Sequence, residues 1–253
     1  MMNKKHDYKF SPFAFAVIIA LQAAALRAWA QPPGEGQRLT QLYTPIQSDT
    51  TRTLSSHFTP ATSLKKAPEA RGFIQRWLVL EPIKKDIARN NILTDSFLRA
   101  AYTNLNFSTD YNRIPKNGEK VIVGNQELKW YALDSKLFNF KLYRFAYAIN
   151  KPQNGVLFWV TTVINCTEDI EHVRMAAGCN SAGTFWLNGT ETLMIPGDKD
   201  MVVDYSTSTR ITLHKGKNII RGAVMNGPGM IDFCLRFIDE KGEPVKKFTV
   251  SYE

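Results

Sequence analysis

One stretch decides the fold: Gly183-Thr184-Phe185-Trp186-Leu187-Asn188-Gly189-Thr190-Glu191. Asn188-Gly189 lies between two strand-forming runs, and both residues tolerate the positive φ that a two-residue hairpin turn requires. The stretch therefore predicts a β-hairpin. Because side chains alternate along a strand, Phe185 and Leu187 are predicted to face one way and Trp186 the other, away from the core.

Short strand-forming runs with turn residues between them surround this hairpin. We predict strands at 73–80, 120–123, 126–133, 142–149, 156–164, 173–178, 184–187, 191–195, 201–205, 209–214, 218–225, 230–238 and 245–251. The run 156–164 is apolar on both faces, which is typical of a strand covered on both sides. Strands at this spacing with almost no helix predict an all-β fold, an antiparallel β-sandwich over residues 70–253.

One short helix is predicted near the start of the sandwich. Thr94-Asp95-Ser96 precedes an apolar run that continues to Tyr102, and Thr and Ser are favoured helix caps. Before the sandwich, residues 31–69 are rich in Pro, Thr, Ser and Gln and contain few large apolar residues. This composition predicts a flexible leader.

Residues 1–30 have the pattern of a secretory signal peptide. Basic residues precede an apolar run, and Ala28-Trp29-Ala30 places small residues where a signal peptidase reads them. The run is short for a membrane anchor, so we expect a secreted or periplasmic protein with no membrane association after cleavage. Removal of this segment leaves 28 basic and 22 acidic residues, scattered without a phosphate-tracking stripe. Nucleic acid is therefore not expected as a partner.

The three cysteines do not form a disulfide framework, because their number is odd. Cys166, Cys179 and Cys234 leave one bridge open as an alternative to buried free thiols.

The order of motifs resembles a known family. Residues 178–189 include the Trp-Leu-Asn-Gly hairpin, residues 213–220 read Leu-His-Lys-Gly-Lys-Asn-Ile-Ile, and residues 233–242 read Phe-Cys-Leu-Arg-Phe-Ile-Asp-Glu-Lys-Gly. Over residues 71–245 this order is similar to the galactose-binding-like jelly-roll modules of exported polysaccharide-degrading enzymes, including the module of bacterial acetylxylan esterases. The resemblance implies a jelly-roll sandwich without catalysis, and a catalytic module as partner.

This chain departs from that family in one loop. Many members carry two aspartates before the hairpin, where this chain has Asn180-Ser181. No cofactor or metal is predicted, and a structural calcium ion in this neutral loop is the alternative left open.

Catalytic motifs are not predicted. Gly178 to Gly183 has one residue too many before Ser181 for a serine-hydrolase elbow, and the only later histidine is His214. His57, His172 and His214 lack the short spacing of metal ligands. We therefore expect a protein that is not an enzyme.

Two functions fit these observations. The first is a carbohydrate-binding module for xylan-like plant polysaccharide, since sugars stack on aromatic rings and their hydroxyls bind amides and carboxylates. Its predicted ligand-binding residues are Trp186, Asn180, Asn188, Asn226 and Asp232. For two of these residues, the alternative is that Trp186 packs under a neighbouring loop and that Asn188 only forms the turn. The alternative is a structural or docking scaffold of a secreted carbohydrate esterase, suggested by strands that are apolar on both faces.

Overall fold

Two antiparallel sheets pack face to face in the computed structural model, which describes residues 53–85, 87, 93–103, 110–227 and 229–253. The predicted signal peptide and the first part of the predicted leader lie outside these residues. The described strands are β1 (Phe58–Pro60), β2 (Arg76–Leu80), β3 (Ile83–Lys84), β4 (Lys120–Val123), β5 (Gln126–Ser135), β6 (Val156–Cys166), β7 (Ile170–Cys179), β8 (Ala182–Leu187), β9 (Thr190–Ile195), β10 (Ser206–Thr207), β11 (Ile211–Leu213), β12 (Gly216–Asn226), β13 (Phe233–Ile238) and β14 (Thr249–Ser251).

The larger sheet has the order β1-β5-β2-β6-β12-β8-β9, with β3 and β14 also paired to β6 and β4 paired to β5. The smaller sheet has the order β10-β7-β11, with β13 also paired to β7. All these pairs are antiparallel, as are the eleven residue pairs that join β6 and β12. The predicted all-β sandwich is confirmed.

The main core lies between the two sheets. Alternate residues of β6 (Val156, Phe158 and Val160) pack there with the inward faces of β7, β8, β12 and β13. The intervening residues Leu157 and Trp159 belong to a second apolar cluster on the outer face of the larger sheet. Strand β6 is buried along its whole length, so the prediction that it is covered on both sides is confirmed.

Two short α-helices complete the described fold. Helix α1 (Asp95–Thr103) begins where predicted, and the Phe97 amide donates to the capping Thr94 Oγ1 at 3.3 Å. Its residues Leu98 and Tyr102 join the outer apolar cluster. In the part of the chain that the structure describes, no helix is long and apolar enough to cross a membrane.

Helix α2 (Leu142–Ala148) corrects one prediction, because residues 142–149 were expected to form a strand. The aromatic residues alternate through this segment, but its buried residues are Leu142, Phe145 and Ala146. These positions are spaced i, i+3 and i+4, which is the period of one helix face. Packing of that face against the main core favours the helix.

The predicted leader boundary also needs correction. Strand β1 pairs with β5, and Phe58 is 1% exposed in the main core. Lys66 forms an isolated bridge with Val250, at β14. The sandwich therefore includes residues before position 70, because strand pairing with β5 and burial of the Phe58 ring attach this segment to the sheet.

Candidate functional site

The hairpin has the predicted geometry. Asn188 and Gly189 both have positive φ, 50° and 82°, and Leu187 pairs with Thr190 across the turn. Phe185 and Leu187 belong to the main core, and Trp186 belongs to the outer cluster, as the alternation predicts.

Trp186 is nevertheless covered. It is 6% exposed, with ring centroids of Tyr111 at 4.8 Å, Tyr102 at 5.6 Å and Trp159 at 5.7 Å. The Tyr102 hydroxyl also lies 3.0 Å from Thr184 Oγ1, which fixes helix α1 over this face. Trp186 therefore has no open face on which a sugar could stack, and the structure agrees with the alternative in which it is a packing residue.

Asn188 stabilises the hairpin turn through its side chain. Its Nδ2 donates to Asn218 Oδ1 at 3.1 Å, and its Oδ1 accepts from the Ile219 amide at 2.8 Å. These bonds join the hairpin to β12. Asn188 lies at the opposite end of β8 from Asn180, and six residues of strand separate those ends by about 20 Å.

Three of the predicted residues do meet at that other end of β8, beside the turn Asn180-Ser181 that joins β7 to β8. The Asn180 amide donates to the Asp232 carbonyl at 2.9 Å. The Ser181 hydroxyl lies 2.7 Å from Asp198 Oδ1 and 3.3 Å from Asn226 Oδ1. We call this region, which is formed by Asn180-Ser181, the connection 196–205 and the neighbouring Asn226 and Asp232, the loop end.

Asn226 and Asp232 support the loop end from beneath. Asn226 is fully buried, and its Nδ2 donates to the carbonyls of Gln153 and Gly229, each at 2.9 Å. Asp232 is 4% exposed and accepts from Asn139 Nδ2 at 2.6 Å. Their predicted role as direct ligand-binding groups is corrected, because their side chains are engaged inside the protein.

Burial also raises the pKa of the Asp232 carboxyl above its ordinary value. Desolvation is the largest cause, and the Lys141 ammonium, 4.0 Å away, and the Asn139 hydrogen bond oppose it. Asp232 therefore holds its proton more strongly than an exposed aspartate.

Ser181 clamps the connection 196–205 onto the sheets. Its backbone amide donates to the Lys199 carbonyl at 2.9 Å, while its hydroxyl proton goes to the nearer acceptor, Asp198 Oδ1. The residue is fully buried and has φ 65°, in the left-handed region that is costly for a non-glycine residue. Both bonds are made from this backbone conformation, and together they hold Asp198 and Lys199 in place.

Gly178 lets the same connection lie directly on β7. A Cβ atom at this position would lie 1.8 Å from the Val202 carbonyl oxygen, which no side chain allows. The close approach explains why 201–205 is not the strand that was predicted. Its backbone instead runs across β7 and forms β10 only at Ser206 and Thr207, opposite Ala177 and Ala176.

The far end of the connection is fixed by an ion pair. Asp204 has φ 52°, and both of its carboxylate oxygens lie 3.0 Å from Arg236 Nε, whose single N–H they share. Arg236 Nη2 donates a further bond to Asp204 Oδ2. The Arg236 guanidinium also lies 4.8 Å from the Phe73 ring centroid and donates to the Arg71 carbonyl at 3.0 Å. Asp204 is therefore neutralised and held.

Directly after the second anchor, the loop end presents an exposed aromatic ring. Tyr205 is 43% exposed, and the Lys199 ammonium lies 3.1 Å from its hydroxyl oxygen and 4.2 Å from its ring centroid. Asp198 and Asp200, on either side of Lys199, are both exposed. Sequence reasoning missed Tyr205 because it placed this residue in a strand. The signal that could have found it is Pro196-Gly197-Asp198-Lys199-Asp200, a turn-forming and charged run that argues for a loop.

The esterase motif is not assembled. Ser181 follows the last residue of β7, whereas His214 follows β11, whose Leu213 pairs with Ile170 at the first residue of β7. Nine residues of strand separate these two places by about 30 Å. His214 instead lies in solvent with its Nδ1 3.6 Å from Asp169 Oδ2, so it cannot serve as a base for Ser181.

The three cysteines are buried free thiols, which resolves the alternative left by the sequence. Cys234 pairs with Gly178 and Phe233 with Cys179, so Cys179 and Cys234 point to opposite faces of the smaller sheet. Burial raises the pKa of the Cys179 thiol to about 12 and also raises the pKa of Cys234. Neither thiol is a nucleophile at neutral pH.

No group of three or more His, Cys, Asp and Glu side chains is arranged to hold a metal ion among the described residues. The prediction about cofactors remains a prediction.

A groove of about 420 Å³ lies elsewhere on the surface. It is lined by Ile114, Pro115, Lys116, Asn117, Tyr252 and Glu253. Tyr252 follows β14, which pairs with the last third of β6, whereas the loop end lies near Asn226, which pairs with the first residue of β6. The groove is thus a separate surface, and it shares no residue with the loop end.

No protein-family model matches the chain, and no curated protein matches it. Solved structures with similar arrangements include a PA14 sugar-binding domain from an RTX adhesin, with 10% identity and a TM-score of 0.39 over 69% of this chain and 96% of that chain. The PA14 domain of the antifreeze protein MpAFP has 10% identity and a TM-score of 0.41 over 76% of this chain and 95% of that chain.

A third similar structure is the epithelial adhesin 9 A domain from Candida glabrata, solved in complex with Galβ1-4GlcNAc. It has 10% identity and a TM-score of 0.36 over 76% of this chain and 95% of that chain. The resemblance to the galactose-binding-like modules of acetylxylan esterases gains no support from these structures. At such identities and scores, none of them carries an argument about function.

Proposed function

We propose that this protein is a non-catalytic carbohydrate-binding β-sandwich whose ligand surface is the loop end around Tyr205. The observation that carries the proposal is the exposed Tyr205 ring, which is held by Lys199. The sequence neighbours of Lys199, Asp198 and Asp200, are also exposed. Sugars present flat C–H faces that stack on aromatic rings and hydroxyls that bind charged and amide groups. The loop end supplies both kinds of partner.

Preorganisation is the second support for this site. The Ser181 clamp and the Asp204–Arg236 ion pair hold the connection 196–205 at both ends, so little conformational entropy is lost when a ligand binds. Asn180 is half-buried on the same turn as Ser181 and is the predicted residue that keeps a direct role.

We propose xylan-like plant polysaccharide as the ligand. We also propose that the protein is secreted or periplasmic and lies beside a catalytic module. These proposals follow from the predicted signal peptide and from the family resemblance of the sequence.

The docking scaffold is the weaker alternative. It was suggested by the outer apolar face of strands such as β6, but Trp159 and Leu157 on that face pack with Leu98 and Tyr102 of helix α1. That face is covered by the chain itself, so it offers no reason to invoke a neighbouring protein.

Titration of the mature chain with xylo- and arabinoxylo-oligosaccharides and with a glycan panel tests the proposal. Tyr205→Ala is expected to weaken binding about tenfold, the loss of one stacking platform. Ile122→Ala is the matched control, because Ile122 is 62% exposed on β4, outside the loop end. Undiminished affinity in Tyr205→Ala would contradict the proposal, and a loss in Tyr252→Ala instead would move the site to the groove.

A further inference from the structure

The charged side chains of the loop end bear on which sugars could bind there. Asp198 and Asp200 are exposed, and within the described residues neither makes an ion pair with a cationic side chain. Asp198 accepts one hydrogen bond from the Ser181 hydroxyl, which is neutral and leaves the carboxylate charge in place. Two negative charges without a cationic partner thus lie on either side, in sequence, of the lysine that contacts the proposed stacking ring.

The one lysine between them is already engaged. The Lys199 ammonium donates to the Tyr205 hydroxyl at 3.1 Å and lies 4.2 Å from the ring centroid, a cation–π arrangement. A ligand carboxylate that recruited Lys199 would have to remove it from the ring on which the sugar stacks. The cation therefore shapes the platform and is a poor anchor for an anion.

Three cations near the loop end are paired with carboxylates. Arg236 is bound to Asp204, and Lys141 is 8% exposed and faces the buried Asp232. Arg71, whose carbonyl accepts a hydrogen bond from Arg236, pairs with Glu69 at 3.0 Å. An anionic ligand would have to compete with these carboxylates for each of the three cations.

We propose that the loop end selects neutral, hydroxyl-rich sugars and discriminates against uronic acids, an inference that rests on the proposed function. Sugar hydroxyls donate charge-assisted hydrogen bonds to the carboxylates of Asp198 and Asp200. A uronate carboxylate has no proton to donate at neutral pH and is repelled by both groups. The platform, the hydroxyl acceptors and the repulsive element occupy one small surface, which is how binding sites obtain specificity.

Matched pairs of glycans test this selection on the mature chain. Each pair holds one sugar skeleton and its uronate form, namely galactose or glucose oligomers against the galacturonate or glucuronate oligomers of the same length and linkage. At low ionic strength the neutral member is expected to bind about three- to fivefold more tightly, the size of exposed charge–charge effects. The ratio should fall toward one as salt is raised, because exposed charges are screened over about 8 Å at physiological ionic strength.

Asp200→Asn is the diagnostic variant, and it should bring the ratio closer to one at low salt. Glu168→Gln is its matched control, since it removes one exposed negative charge between β6 and β7, at the opposite end of β7 from the loop end. The control should leave the ratio unchanged.

The outcomes separate the two proposals. Equal or tighter binding of the uronate members, with Tyr205→Ala still weakening binding, would overturn the selection alone. If no neutral glycan binds, or if Tyr205→Ala binds as the parent does, the proposed function fails and the selection fails with it. A ratio that Asp200→Asn and Glu168→Gln change equally would also overturn it, because the loop end would then not be the source of discrimination.

Discussion

Trp186 and Tyr205 lie in two regions that treat an aromatic residue in opposite ways. Trp186 points away from the main core, yet helix α1 and Tyr111 cover it to 6% exposure. Tyr205 comes from an irregular connection and remains 43% exposed. Strand alternation predicts on which side of a sheet a residue lies, but not which other segments cover that side. The exposure of these two aromatic residues depends on the helix and the connections outside the sheets.

The largest expected effect separates these two residues by stability. Trp186→Ala removes a ring that packs on three others and should lower the free energy of unfolding by about 3–5 kcal/mol. Tyr205→Ala should lower it by less than about 0.5 kcal/mol, as is usual for an exposed site. Urea denaturation of both variants measures the difference, and similar losses would show that the two regions are not distinct.

Gly178→Ala is expected to have the next largest effect. The added Cβ meets the Val202 carbonyl oxygen at 1.8 Å, and moving that backbone should cost about 2–3 kcal/mol and displace the connection 196–205. Gly227→Ala is the matched control, because a Cβ there meets nothing within 4 Å. Thermal unfolding together with glycan affinity provides the test. A stable Gly178→Ala variant with parental affinity would be incompatible with the close approach of this connection to β7.

Substitution of Ser181 is expected to lower the free energy of unfolding by a smaller amount, and two different substitutions should differ in a defined order. Ser181→Ala removes the hydroxyl bond to Asp198, which should cost about 1–3 kcal/mol. Ser181→Gly loses the same bond but relieves the left-handed backbone strain, so it should be more stable than Ser181→Ala by about 1 kcal/mol. Chemical denaturation ranks the variants, and the reverse order would deny that the clamp is strained.

The smallest effect is a pH dependence at Asp232. Burial raises the pKa of this carboxyl in the folded protein above its unfolded value of about 3.9. The folded state therefore binds the proton more strongly, and the destabilising contribution of Asp232 is complete above the folded pKa and disappears below the unfolded one.

Measured against Asp232→Asn, the parent should thus gain stability as pH falls from neutral through the folded pKa of this group. Denaturation at a series of pH values provides the measurement. A stability difference between the two proteins that is flat with pH, or that moves in the opposite direction, would show that burial does not raise the pKa of this carboxyl.

The architecture could be predicted from local patterns. The structure has three features that local sequence predicts. They are the positive-φ turn at Asn188-Gly189, the strand 156–164 that is covered on both faces, and the helix cap at Thr94. Segment 142–149 could not be assigned in this way. Its sequence satisfies both the strand and the helix period, and the choice depends on packing against residues distant in the chain.

The site was predicted less well than the fold. Asn180, Asn226 and Asp232 were expected to bind ligand, and the structure does bring them together, but two of them are buried in support of the surface. Tyr205 and Lys199 were not predicted as site residues. The position of their connection depends on contacts with Gly178, Ser181 and Arg236, which lie outside the connection in sequence. Long-range anchors of this kind leave no local periodicity to detect.

Chemical-shift mapping of the mature chain during titration with an oligosaccharide tests whether the loop end around Tyr205 is the ligand surface. The amides of Asn180, Lys199, Asp200 and Tyr205 are expected to shift with one common affinity, while the Trp186 indole resonance stays in place. Shifts concentrated at the Trp186 indole or at Lys116, Asn117 and Tyr252, with the connection 196–205 unchanged, would contradict it.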